Sequence, residues 1–223
     1  MSALPKQYVA FFKELAANND RDWFNANKAR FETHVKEPFE AVTADVIALM
    51  QKLDPELTLD VKDAVFRIYR DTRFSKDKTP YKLHMSAVVS RGGRRDHSHP
   101  GIYYQIGVDG LAIAGGRWEP DKDDLMKIRK AIARDPKGFR KIIDSKKFKE
   151  TFNGLGGEQN KVIPKEFRAA GELVPEIYNK SFHYWRQYPA QKDVLRPDLG
   201  KFIVDHYKIG RAFNDFLVEA TRK

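Results

Sequence analysis

The chain has no cysteine among its 223 residues, which excludes a disulfide framework, thiolate metal ligands and a cysteine nucleophile. It also lacks any apolar run near the roughly 18 residues of a membrane span. The amino-terminal stretch is broken by Lys6, Lys13 and Glu14, so the apolar core of a secretory leader is missing. These absences lead to the expectation of a soluble, cytoplasmic protein. No Gly-Lys-Ser/Thr follows the glycines of Asn153–Glu158 and no strong strand precedes them, so neither a P-loop nor a dinucleotide fingerprint is met. A nucleophile elbow, a paired-carboxylate motif, an RNP-type motif and a helix-turn-helix signature are likewise missing.

What is present is positive charge. The formal net charge is +10, and two segments carry more than all of it. Between Arg67 and Arg95 nine Lys/Arg oppose two Asp, and between Lys127 and Lys149 ten oppose two Asp. Such a surface suits phosphates, nucleic acid or acidic patches in a salt-dependent way, although basic helices are commonly just solvated faces. With 41% hydrophobic residues, the chain also has enough apolar surface for a core without staples.

Hydrophobic spacing gives the architecture. Tyr8, Phe11, Phe12 and Leu15 make one helical stripe, Asp20 is placed to cap a second helix carrying Trp23, Phe24, Phe31 and Val35, and Pro38 is expected to interrupt it. A third helix follows from Phe39 to Leu53. Val65–Tyr69, Leu83–Val89, Ile102–Val108, Leu111–Ala114 and Phe182–Arg186 read as strands, with Asp109-Gly110 as a hairpin turn. Helices are expected after Pro120, near Gly138–Asp144 and Lys146–Phe152, and as two pieces near Leu199–Tyr207 and Arg211–Ala220. The prediction is a single α+β domain, residues 1–223. It has an antiparallel sheet of about five strands flanked by N-terminal, middle and C-terminal helices.

The densest chemistry lies between Arg67 and Lys82. Arg67, Arg70 and Arg73 offer planar forks for phosphate or carboxylate and Lys78 a point charge, which makes them candidate ligand-binding residues. Asp71, His84 and Tyr81 are candidate catalytic groups, as base, acid/base and hydroxyl donor. The equal alternative is an Arg–Asp network that braces the loop. Convergence of Arg67 and Arg70 requires a bend, because residues three apart on a regular strand face opposite sides. Asp96, His97 and His99 offer possible metal ligands, but a solvated Gly/Arg-rich loop is the expected reading, with no metal and no cofactor. Ala112, Ala114, Gly115 and Gly116 leave space for a ligand or a close-packed element.

Arg67, Arg70, Asp71, Arg73, Phe74, Asp77, Lys78 and Tyr81 closely resemble the signature of a bacterial conserved hypothetical family, domain of unknown function 2461. Asn19–Phe24, Gly115-Gly116 with Trp118 and Pro120, and Asn214–Leu217 extend the resemblance along the chain. It implies one α+β domain of this length and supplies no activity. Three classes therefore stand: an anion-binding pocket built on the signature, with or without enzymatic activity; a nucleic-acid binder using the Lys127–Lys149 helices with the Arg91–Arg95 loop; and a structural or protein-interaction module. An anionic small molecule is the expected partner, no membrane is expected, and the oligomeric state is open.

Overall fold

Tyr8, Phe11, Phe12 and Leu15 all lie on the buried side of α1 (Lys6–Ala17), so the helical spacing of apolar residues becomes a core face. The structure, a computed structural model, describes residues 2–96, 98–189 and 191–222. Asp20 caps α2 (Arg21–Ala26) by accepting the Trp23 N–H at 2.8 Å, as its position predicts. Then α3 (Lys28–Phe31) runs through a π turn, Glu32–Lys36, into α4 (Glu37–Gln51). Pro38 therefore does not break the helix as expected. The wider turn just before it accommodates a ring that lacks an N–H and would crowd the preceding carbonyls. A single turn, α5 (Val61–Ala64), leads toward the sheet.

The fold is α+β, with an antiparallel sheet in the order β1-β2-β3-β4. The strands are β1 (His84–Val89), β2 (Ile102–Gly107), β3 (Gly110–Arg117) and β4 (Phe182–Tyr188). The count is four rather than about five, because Val65–Tyr69 makes only isolated bridges. Val65 opposes Ala87 and Tyr69 opposes Tyr81, so the chain from 81 to 87 holds two residues more than the stretch it faces. This slip breaks the ladder. It also turns the Leu83 carbonyl toward β2, where it accepts the Val108 N–H at 3.1 Å. Gly107 permits the approach, since a Cβ there would lie 2.0 Å from the Leu83 oxygen.

Beyond the sheet come α6 (Lys122–Arg134), α7 (Pro136–Ile143), α8 (Lys146–Phe152) and α9 (Arg168–Leu173). The short α10 (Gln191–Val194) and the long α11 (Leu199–Thr221) close the chain. The last is one helix, not the expected two. Gly210 continues it, and the absence of a side chain there admits the Tyr184 ring, which a Cβ would meet at 2.3 Å.

Two compact units are formed: Met1–Arg95 with Tyr103–Ile113 and Gln187–Val204, and Asp96–Ile102 with Ala114–Arg186 and Asp205–Lys223. The first has an aromatic core in which buried hydroxyls find partners. Tyr8 donates to the Ile106 carbonyl at 3.0 Å and Tyr104 to Thr43 Oγ1 at 2.7 Å. Each such bond contributes about 1 kcal/mol net, and an unpaired hydroxyl there would cost more. In the second unit Phe148, Phe152, Tyr184 and Phe213 pack ring against ring. Arg129 is buried in the same unit with its guanidinium on the Ile177 and Asn179 carbonyls.

Candidate functional site

The loop after Val65–Tyr69 is held at its base by side chains from another element. Asn19 clasps the Tyr81 backbone, donating to its carbonyl at 3.0 Å and accepting its N–H at 3.1 Å. The Tyr81 ring is buried and stacks on Phe24, centroids 4.0 Å apart at 16°. Burial, with Tyr69 second, raises the Tyr81 phenol above its usual range, so it stays protonated and serves the floor of the loop.

Between Arg70 and Thr79 both arginines are paired with the two aspartates. Arg70 bonds the Asp77 carboxylate and the Thr79 hydroxyl. Thr79 returns its backbone N–H and hydroxyl to Asp77, each at 2.9 Å. Arg73 grips Asp71 through two parallel bonds, 3.0 and 2.7 Å, and Lys78 reaches the Thr72 carbonyl at 2.9 Å. The carboxyls are correspondingly acidic. Asp71 is lowered to about 2, first by the Arg73 side chain, and Asp77 to about 2, first by the Thr79 N–H and then by Arg70. A carboxylate held that low is a poor base at neutral pH. The loop carries Phe74 at its tip, 95% exposed, with the Arg73 guanidinium 5.8 Å from its ring centre.

A second group gathers around the slipped bridge, and its two cations, Arg67 and Lys82, make no ion pair among the described residues. Lys82 is half-buried, its ammonium 5.6 Å from the Phe66 ring centre and without an ion pair among the described residues. Burial, with the Arg67 guanidinium second, lowers its pKa. Two residues on, His84 is lowered to about 4, first by burial and then by Lys82, with Asp109 opposing. Its imidazole is neutral at pH 7, one nitrogen a donor and the other an acceptor. Phe66 and Tyr103 meet edge to face at 6.3 Å, and the Tyr103 hydroxyl donates to Gln105 Oε1 at 2.8 Å. The exposed Arg67 completes the group, close enough to repel Lys82 and to favour the Asp71 anion.

The candidate residues thus divide. Arg70, Arg73, Lys78, Asp71 and Tyr81 belong to the braced loop, whereas Arg67 and His84 belong with Lys82 on the face beside it. Lys82 escaped the residue-by-residue reading of the sequence. Its signal was there in the period of two that places Lys82, His84 and Ser86 in alternation. Asn19 was marked only by the family resemblance and Phe66 by nothing, because their roles depend on partners far along the chain.

Other candidates are placed as follows. Arg91 is tied to Asp54 at 2.7 Å and to Glu56, and Arg94 donates to the Lys62 and Val65 carbonyls. This basic loop therefore borders a polar cleft of about 610 Å3 that also touches Thr58, Asp60, Asp63 and Arg95. His97 lies outside the described residues. Asp96 and His99 stand 3.8 Å apart, and no group of three or more possible metal ligands forms among the described residues. Gly115 admits the Tyr184 hydroxyl, which a Cβ would meet at 2.1 Å, so packing occupies the space there. Among the described residues no helix is long and apolar enough to cross a membrane.

The fold and this face define an α+β protein in which an internally paired arginine loop adjoins two cations, Arg67 and Lys82, that have no ion pair among the described residues. The chain belongs to the conserved hypothetical protein family known as domain of unknown function 2461, whose profile matches residues 7–216 and so takes in every residue of the loop and the face. No curated protein matches the chain.

Proposed function

We propose that the protein binds an anionic small molecule, through a phosphate or carboxylate group, on the face formed by Arg67, Lys82 and His84, acting as one domain over residues 1–223. The observation that carries this reading is the half-buried Lys82 beside Arg67 with no ion pair among the described residues. A partly desolvated cation next to a second cation is unfavourable by itself. A bound anion would reverse the sign of that interaction, and the neutral His84 ring would add a hydrogen bond. Phe66 and Tyr103 would wall the group and strengthen its electrostatics by excluding water. The braced loop adjoins Arg67, and Arg70, Arg73 and Lys78 add a positive field around it. Any chemistry would fall to His84, since Asp71 is too acidic and Tyr81 is committed to packing.

Thermal unfolding with inorganic phosphate and with citrate tests this reading, because a ligand selective for the native state stabilises by about 2.7 kcal/mol at a hundred times its dissociation constant. A rise in Tm that disappears in Arg67→Gln and Lys82→Met but persists in Arg73→Ala supports it. No rise, or a rise indifferent to Arg67 and Lys82, removes it. The reciprocal Arg70–Asp77 and Arg73–Asp71 pairs favour a second reading in which the loop is a rigid mount for Phe74 in a protein-interaction module. Under that reading Phe74→Ala loses a partner while phosphate and citrate have no effect.

A further inference from the structure

The second unit carries a cationic surface that the proposed small-molecule site does not use. Ten Lys and Arg lie between Lys127 and Lys149, and the fold sorts them into two sets. Lys127 pairs with Asp124 at 3.6 Å, Arg129 sits on two carbonyls, Arg140 bridges Asp144 and Glu176, and Lys149 reaches Asp144 at 2.8 Å. The other six are exposed and have no ion pair or hydrogen bond among the described residues: Lys130, Arg134, Lys137, Lys141, Lys146 and Lys147.

Their placement is regular. Lys130 and Arg134 stand four apart on α6, and Lys137 and Lys141 four apart on α7, so each pair shares a helix face with an axial separation of about 6 Å. Lys146 and Lys147 open α8. The apolar residues Ile128, Ile132, Phe139, Ile143, Phe148 and Phe152 are buried, which leaves the cations on the solvent side. Of the five carboxylates on these helices and their connections, Asp124 and Asp144 are paired and Asp135 caps α7 through the Gly138 N–H. Asp123 and Glu150 remain against seven cations, the exposed Lys122 at the start of α6 included. Like charges four apart repel, so this arrangement is mildly unfavourable without a counter-charge.

The shape of the patch points to its partner. None of the large hydrophobic side chains exposed among the described residues lies between residues 122 and 152, so the three helices themselves supply no ring on which an unpaired base could stack and no apolar anchor for a protein interface. Unaccompanied positive charge spread over consecutive helices instead matches a dense, repeating anion. We propose that α6, α7 and α8 bind the phosphate backbone of duplex nucleic acid without reading its sequence. The Arg91–Arg95 loop takes no part, because Arg91 and Arg94 are already engaged.

The test is fluorescence anisotropy of the full-length protein with a labelled DNA duplex of about 20 base pairs, titrated at several salt concentrations. Neutralising five or six phosphates predicts a slope of about −5 in log affinity against log salt, since each contact contributes about −0.9. Lys137→Gln/Lys141→Gln should reduce that slope by about two and weaken low-salt binding at least tenfold, with circular dichroism and Tm unchanged because both side chains are exposed. Lys6→Gln/Lys13→Gln should do neither. Arg67→Gln and Lys82→Met should leave duplex binding intact, which separates this inference from the small-molecule reading. Absence of binding at low salt, a slope untouched by the α7 variant, tighter binding to a single strand than to the duplex, or capture only by phosphatidylserine vesicles would each overturn it.

Discussion

Two clusters of basic residues lie side by side in the first unit, and they treat their charge in opposite ways. In the loop from Arg70 to Thr79, arginine and aspartate are matched within a few residues of each other. On the neighbouring face Arg67 and Lys82 repel one another, Lys82 lies against an aromatic ring, and His84 is kept neutral. A sequence motif rich in arginine reads as a single basic site. The structure instead pairs the loop arginines Arg70 and Arg73 with the motif's own aspartates and leaves Arg67 and Lys82 without such a partner among the described residues. Exposed pairs contribute little to stability, whereas a half-buried unpaired cation costs stability and persists where something else compensates.

The largest effect should come from removing the floor on which both clusters rest. Tyr81→Ala deletes a buried ring stacked on Phe24, and the expected loss is about 3–5 kcal/mol by chemical denaturation. Tyr81→Phe keeps the ring and should stay within about 0.5 kcal/mol of the parent. A large loss from the Phe variant would give the hydroxyl a role that packing does not explain.

Acid should act next, and through the unpaired face. The folded-state pKa of His84 is about 4, below the ordinary imidazole value of about 6.5, so the fold selects the neutral ring. Its contribution is therefore full above about pH 6.5 and is lost as pH falls through about 4, amounting to at most about 3 kcal/mol. Parallel pH titrations of stability for the parent and His84→Gln should diverge in that window and run level above it. The carboxylates of the braced loop respond in the same direction but over a lower range. Asp71 and Asp77, both near 2, hold their pairs through that window and release them only at lower pH.

A smaller effect carries the sharper contrast. Lys82→Met should raise stability by about 0.5–1 kcal/mol, screening by solvent included, while abolishing the response to phosphate or citrate. Destabilisation by this substitution would mark Lys82 as structural and dissolve the distinction between the clusters. Smallest of all, Arg73→Ala should move Tm by no more than a degree or two, because both members of the Arg73–Asp71 pair are exposed. The Arg70→Ala variant should fall slightly further, since Arg70 also holds the Thr79 hydroxyl.

The sequence by itself determined the elements whose signals are local. The Tyr8–Leu15 stripe, the Asp20 cap, the Asp109-Gly110 hairpin and the α8 boundaries all follow from spacing, capping and turn chemistry within one or two turns of chain. It also determined the α+β class and the family signature. Tertiary structure alone decided the rest. Pro38 remained within a helical run because a π turn relieved its clash, and Gly210 stayed inside α11 because Tyr184 needs the space. Val65–Tyr69 fell short of a strand because two extra residues opposite it break the ladder. The same applies to charge: periodicity places Lys82 and His84 on one face, but whether a cation finds a carboxylate depends on chain segments brought together only by folding. Pairing within the Arg70–Thr79 loop is settled by neighbours in sequence, and the isolation of Lys82 by the burial that the sheet and the slipped bridge impose.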